Sequence, residues 1–212
     1  MRNKQDNKER GVTVMVFARK PRGTQVKTRL ARTVGSYLAK IIYTILLKRT
    51  IDEVAKVRRL RKIIMPSNLR DVGWFLKKYT RSGWLIRAQS LGGLGRRMAR
   101  AIKFELSKGR AVILIGSDIT GGQLQDIKAA RDFLNSGVEV VVGPAIDGGY
   151  WLIAMQSKFF NIFEGMQWSH ASVFKFTLEK LESENCNYQV LPPRQDVDTA
   201  QDLLRFKWRG YN

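Results

Sequence analysis

The sequence predicts a doubly wound α/β fold, in which a largely parallel sheet is covered by helices. Three observations predict it. Short β-branched apolar runs recur along the chain, amphipathic helical patterns fall between them, and charged or glycine-rich segments stand where the strand patterns end. In an open α/β sheet those strand ends are where ligands bind.

The first run, Val12-Thr13-Val14-Met15-Val16-Phe17-Ala18, reads as a buried strand, followed by the loop Arg19 to Thr24. From Tyr37 to Val57, Leu38, Ile41, Ile42, Ile45, Leu46 and Val54 recur at helical spacing. Ile63-Ile64-Met65 before Pro66 predicts a second strand, Val72 to Tyr79 a short helix, and Leu85 to Ala88 a third strand. Met98, Ala101, Ile102 and Leu106 mark a helix that Gly109 stops. The pattern continues with a strand over Val112 to Ile115, a helix over Gln123 to Leu134 and a strand over Val138 to Val142. A strand over Tyr150 to Met155, a helix over Ser172 to Glu184 with Phe174, Leu178 and Leu181 facing inward, and a last strand over Tyr188 to Leu191 follow. Asp196-Val197-Asp198-Thr199 then opens a short helix through Leu204, with Thr199 as its N-cap.

The 212 residues suit one α/β domain, expected over residues 11–212 after a polar tail at 1–10. No apolar run approaches the roughly 18–20 residues of a membrane span, and the polar start shows no signal segment, so a soluble, cytoplasmic protein is expected. Cys186 and His170 are the sole residues of their types, which excludes an intramolecular disulfide and the usual His- or Cys-based zinc sites. A formal charge of +20 attracts nucleic acid, anionic lipid and phosphorylated small molecules alike. The cations are dispersed in short groups with no nucleic-acid module, so weak, unspecific nucleic-acid binding is the expectation.

Two acids end strand patterns. Asp118 follows Ala111 to Ser117, and Asp147 stands before Gly148-Gly149-Tyr150, where a carboxylate beside side-chain-free backbone is placed to meet a ligand. Each has a local alternative, Asp147-Gly148 as a hairpin turn and Asp118 as a helix cap. The first loop carries Lys20, Arg22, Lys27 and Arg29 around Pro21 and Gly23, cations and backbone amides of the kind a di- or triphosphate requires. It lacks the glycine spacing of a Walker loop. Tyr150, Trp151 and Trp168 read either as stacking platforms for a base or sugar or as core. Ser169 and His170 have no third partner for nucleophilic catalysis and read as a cap and a surface histidine.

The order Phe17-Ala18-Arg19-Lys20-Pro21-Arg22-Gly23-Thr24-Gln25-Val26-Lys27-Thr28-Arg29-Leu30, Leu94-Gly95-Arg96-Arg97-Met98, Ile115-Gly116-Ser117-Asp118, Gly143 to Tyr150, Trp168-Ser169 and Asp196-Val197-Asp198-Thr199 resembles the DUF2064 family. These are small glycosyltransferase-like proteins related to the nucleotide-diphospho-sugar transferases. The resemblance implies a GT-A-type fold, a Rossmann-like three-layer α/β/α sandwich with a mixed, mostly parallel sheet. It implies a transferase with a nucleotide or nucleotide-sugar donor, an unidentified small-molecule acceptor, and Mg²⁺ or Mn²⁺. On that reading Asp118, Asp196 and Asp198 supply the metal ligands. Arg19, Gly23, Lys27, Arg29, Gly95 and Arg97 meet the nucleotide and its phosphates. Gly148, Gly149, Tyr150 and Trp168 face the second substrate, and Lys27 and Asp147 serve catalysis. Two positions depart from the family pattern: Ile119-Thr120 stands where Cys-Pro is usual, and Arg96 replaces an acid. The alternative class is a basic nucleic-acid or anion-binding protein on a degenerate transferase fold, against which the retained acids argue, since a pure polyanion binder gains nothing from them.

Overall fold

The structure, a computed structural model, describes residues 11–22, 26–120, 122–168 and 170–205. The tail at 1–10, Gly23 and Ser169 lie outside the described residues.

The elements in chain order are β1 (Val12–Ala18), α1 (Thr28–Val34), α2 (Ser36–Ala55), β2 (Leu60–Pro66), α3 (Val72–Tyr79), β3 (Leu85–Ile86), α4 (Leu94–Leu106) and β4 (Ala111–Ile115). Then come α5 (Gln123–Asn135), β5 (Val140–Pro144), β6 (Tyr150–Met155), α6 (Val173–Ser183), β7 (Tyr188–Val190) and α7 (Ala200–Arg205). Among the described residues the strands form one seven-stranded sheet in the order β3-β2-β1-β4-β6-β5-β7. β6 runs antiparallel to β4 and β5, and the remaining pairings are parallel. This is the mixed, mostly parallel sheet of the predicted sandwich.

Strand alternation divides the core into two layers. Val12, Val14, Val16 and Ala18 of β1 pack with Tyr43, Leu47 and Ile51 of α2, Phe75 of α3 and Ile127 and Leu134 of α5. Met15, on the other face, packs with Met98 and Ile102 of α4 and Leu181 of α6. A third cluster joins Leu30 of α1 and Ile42 and Leu46 of α2 to Val197, beyond the sheet edge.

Several boundaries differ from expectation. The unforeseen α1 is too short and polar to show a clear period. β2 begins at Leu60, because Arg61 and Lys62 take regular pairing positions opposite Thr13 and Val14. β5 is displaced toward the C-terminus, to Val140–Pro144. Gly143 belongs to it, with the space a side chain would need filled by Leu152 and Trp151. No helix among the described residues is long and apolar enough to cross a membrane.

Glu105 occupies the inward stripe of α4 with Met98, Ala101 and Ile102 and is fully buried. Its carboxylate accepts from Thr13 Oγ1 at 3.1 Å, Arg87 Nη1 at 2.9 Å and Arg110 Nη1 at 3.3 Å, and Arg61 Nε stands 3.8 Å away. Glu105→Gln keeps the volume and leaves several guanidinium groups around a neutral amide. Breaking a buried pair costs about 3–5 kcal/mol, reduced here because the arginines reach solvent, so a urea titration should show a loss of about 2–3 kcal/mol. Unchanged stability would mean that the arginines are already satisfied by water.

Candidate functional site

β1 and β4 are parallel neighbours, with Val16 opposite Ile115, and their following segments diverge to leave a crevice beyond the strand ends. The hydroxyl of Tyr43 closes its floor. It accepts from the Arg19 backbone N at 2.8 Å, lies 3.2 Å from the Arg19 carbonyl, and lies 3.0 Å from Ser117 Oγ. One side chain of α2 therefore fixes the segments leaving β1 and β4 relative to each other.

Lys27 caps α1 in the left-handed conformation, φ 50°, unusual for a residue with a side chain. Its side chain is 3% exposed, and Nζ donates to Asp118 Oδ2 at 2.7 Å and to Asp198 Oδ1 at 2.7 Å. Burial is the largest influence on this ammonium and opposes its charge. Asp118 and Asp198 together outweigh it, so the group is held protonated, above its ordinary range.

The C-terminal segment brings in the remaining acids. Arg194 to Asp196 threads between two strand ends: Asp196 bridges to Ile119, Ala145 to Arg194, and Thr120 donates to the Gln195 carbonyl through both N and Oγ1 at 2.9 and 2.8 Å. Arg194 anchors it with a bidentate pair to Asp126 at 2.6 and 2.9 Å, in space that a side chain at Gly122 would fill. Val197 is driven into the cluster of α1 and α2, and alternation turns Asp196 and Asp198 away from it. Thr199 is the N-cap as expected, in a reciprocal arrangement with Asp202: Asp202 N donates to Thr199 Oγ1 at 3.3 Å and Thr199 N to Asp202 Oδ2 at 2.8 Å. The carboxyl of Asp196 is pushed up to about 7, first by burial and then by Asp198, Asp118 and Asp147, with Lys27 partly offsetting them.

A cavity of about 540 Å³ lies above these groups, lined among others by Arg19, Lys27, Arg29, Gln89, Arg97, Asp118 and Asp198. Arg97 Nη1 donates to Gln89 Oε1 at 2.7 Å, while its Nε is buried with no partner among the described residues. Burial, and after it Arg19, lower the pKa of Arg97, so an anion bound against this guanidinium would favour its charged form.

The structure thus brings Arg19, Lys27, Arg29, Arg97, Asp118 and Asp198 to one cavity, with Asp196 and Asp147 close enough to share its field. The helix-cap alternative for Asp118 is excluded: α5 is capped at Gly122, and Asp118 faces Lys27. Asp147-Gly148 does form the hairpin turn between β5 and β6, with Gly149 N donating to Asp147 Oδ1 at 3.0 Å. Gly148 has φ 88° and abuts the Ala171 backbone, which leaves no room for a side chain. Gly95 is buried under the Trp168 ring, where a Cβ would lie 2.7 Å from a ring carbon. Trp168 stacks near Phe163 and meets Tyr150 edge-on, with centroids 6.4 and 6.2 Å apart, and Trp151 is buried. Gly95, Gly148, Gly149, Tyr150 and Trp168 are not among the residues that line this cavity, and the Tyr150 hydroxyl and Trp151 Nε1 are buried with no partner among the described residues. His170 is exposed and bonds Ser172 Oγ at 2.7 Å.

Among the described residues, no group of three or more His, Cys, Asp or Glu side chains is disposed to hold a metal ion. Two of the three expected ligands, Asp118 and Asp198, instead converge on the Lys27 ammonium. The departure at Ile119-Thr120 has a local use, since buried Ile119 and the two Thr120 donors dock the C-terminal segment. The exposed Arg96 lies over Gly92.

Residues 50–170 match the family described as "Uncharacterized protein conserved in bacteria (DUF2064)". This chain belongs to the DUF2064 family. No curated protein matches it. It is similar to a crystal structure from Desulfovibrio desulfuricans G20, provisionally named a nucleotide-diphospho-sugar transferase: 29% identity, TM-score 0.84, covering 92% of this chain and 85% of that one. The 4-diphosphocytidyl-2C-methyl-D-erythritol synthase of Anaerococcus prevotii DSM 20548 is similar at 12% identity and TM-score 0.59, covering 92% and 94%. The manganese complex of Rv0371c from Mycobacterium tuberculosis H37Rv is similar at 15% identity and TM-score 0.52, covering 92% and 97%. The latter two share the fold with this DUF2064 protein.

Sequence reasoning missed Tyr43 and Gln89. Tyr43 carried a signal, because a tyrosine on a helix's apolar stripe needs a buried partner for its hydroxyl. Gln89 carried none. It reaches the cavity because the chain past β3 goes on bonding to β2: Arg87 N donates to the Ile64 carbonyl at 3.1 Å and Gln89 N to the Pro66 carbonyl at 2.9 Å.

Proposed function

We propose that this protein is a metal-dependent cytoplasmic transferase that uses a nucleoside triphosphate or a nucleotide sugar as donor. The observation that carries the reading is a cation held between Asp118 and Asp198 at the base of a cavity whose walls present Arg19, Arg29 and Arg97. Carboxylates below and guanidinium groups around a cavity suit a phosphate chain whose charge is shared with a divalent ion.

The donor set fits Mg²⁺ or Mn²⁺. Such ions are commonly held by one or two carboxylates together with substrate phosphates, so a three-carboxylate cage is not needed. Asp118 and Asp198 would hold the ion, which when bound stabilises negative charge on the departing phosphate. Lys27, released from the carboxylates, reaches the phosphates as a point charge. Arg97 orients them, its position fixed by Gln89, and Arg19 and Arg29 close on the donor from the mouth. Asp147, on the turn beside the acids, faces the second substrate, an unidentified small-molecule acceptor. No histidine or cysteine is needed, because positioning and electrostatics carry such transfers.

A thermal-shift screen of nucleoside triphosphates and nucleotide sugars, with and without Mn²⁺, tests this. A true donor at 100 times its Kd adds about 2.7 kcal/mol, and the shift should require Mn²⁺ and survive salt that abolishes DNA binding. A shift given equally by any polyanion and lost with salt would instead support the basic binding protein.

A further inference from the structure

We infer that the sheet edge carrying the cavity docks onto an anionic lipid bilayer. Among the described residues, Leu91, Leu204, Leu69, Tyr37 and Ile146 are the most exposed large apolar side chains, at 62–88%, and the next, Phe104, is 48% exposed. Single exposed aliphatic residues are ordinary, but their distribution here is one-sided. Tyr37 is in the first turn of α2 after β1, Leu69 follows β2, Leu91 follows β3, and Ile146 follows β5. β1, β2, β3 and β4 are parallel, and β5 shares their direction because both β4 and β5 are antiparallel to β6. Leu204 is on α7, whose Leu203 packs with the cluster of α1 and α2 at this edge. All five therefore crown the strand ends around the cavity mouth.

Exposed Arg29 in the cavity lining, Arg70 next to Leu69, and Arg96 in the first turn of α4 after Leu91 stand at the same edge, in a chain of net charge +20. Isolated aliphatic tips on separate segments, set among cations, suit the headgroup boundary of an anionic membrane, where apolar insertion and charge act together. A protein interface would call for a contiguous apolar centre, and a nucleic-acid backbone would make no use of the leucines. The opposite edge supplies the contrast. Among the described residues, its exposed cations Arg58 and Arg59, between α2 and β2, have no apolar side chain of comparable exposure beside them. The inference does not rest on the transfer reaction.

The test is co-sedimentation of the full chain with phosphatidylcholine vesicles, with and without phosphatidylglycerol, beside binding to a DNA duplex. Binding should require the anionic lipid. Leu69→Ser combined with Leu91→Ser should reduce vesicle binding roughly tenfold while leaving the melting temperature and DNA affinity unchanged. Tyr37→Ser combined with Leu204→Ser, on two other segments, should repeat the effect should the first pair fold poorly. Arg58→Gln with Arg59→Gln should change vesicle binding by no more than about twofold. The inference is overturned if anionic vesicles do not bind, if both rim pairs bind as the parent does, if the opposite-edge pair loses as much, or if the rim pairs weaken DNA and vesicle binding equally.

Discussion

Replacing Lys27 with Met should move two affinities in opposite directions. In the absence of any donor, Mn²⁺ should bind more tightly, by roughly tenfold, because the ammonium that now sits 2.7 Å from both Asp118 and Asp198 no longer competes for their charge. In the presence of Mn²⁺, the nucleotide donor should bind roughly 10- to 100-fold more weakly, the loss of about 1.5–3 kcal/mol expected for one charge-assisted hydrogen bond to phosphate. Methionine retains much of the apolar stem, so packing in the crevice is largely kept. Without metal the variant should also melt lower than the parent, because Asp118, Asp196 and Asp198 are then left together with no internal cation, and added Mn²⁺ should recover that difference. Mn²⁺ titration followed by electron paramagnetic resonance and melting curves read these effects without requiring turnover. A fall in Mn²⁺ affinity would show that Lys27 does not stand where the metal belongs.

That a lysine and two aspartates would meet was only partly legible in the chain. The strand order and the two-layer core follow from apolar runs that are unambiguous, such as Val12–Ala18 and Tyr150–Met155, whose observed bounds agree with expectation. Asp118 was legible for the same reason, since any residue three places past a buried central strand emerges at the ligand edge. Asp196 and Asp198 were placed by family resemblance. Their physical cause is a tertiary docking, with Ile119, Thr120, Ala145 and Ile146 holding Arg194 to Asp196 and buried Val197 setting the phase, which no local pattern contains. Glycines were the least legible. Gly148 reads as a ligand contact because backbone without a side chain can approach a substrate, and Gly95 by family resemblance; in the structure each makes room for another part of the protein, the Ala171 backbone at Gly148 and the Trp168 ring at Gly95. Sequence can mark where a side chain is forbidden without saying what fills its place. Glu105 shows the converse, an acid on an apolar helical stripe whose arginine partners come from three separate segments.

Asp118→Asn should abolish the metal-dependent part of donor binding and slow transfer by about 10²–10³-fold, equivalent to about 3–4 kcal/mol of lost stabilisation of the departing phosphate. The change is isosteric, and Lys27 retains its contact with Asp198, so the fold and the melting temperature without ligand should stay close to those of the parent. Asp198→Asn should act in the same direction, because both oxygens approach the same cation position at 2.7 Å. The decisive comparison combines Asp118→Asn with Lys27→Met. If the two side chains share one position, their effects are coupled, and the double variant should lack the gain in Mn²⁺ affinity expected of Lys27→Met alone. Simple additivity across the cycle would show that the lysine does not compete with the metal for Asp118. Mn²⁺ binding by Asp118→Asn equal to that of the parent would remove the aspartate from the metal site altogether.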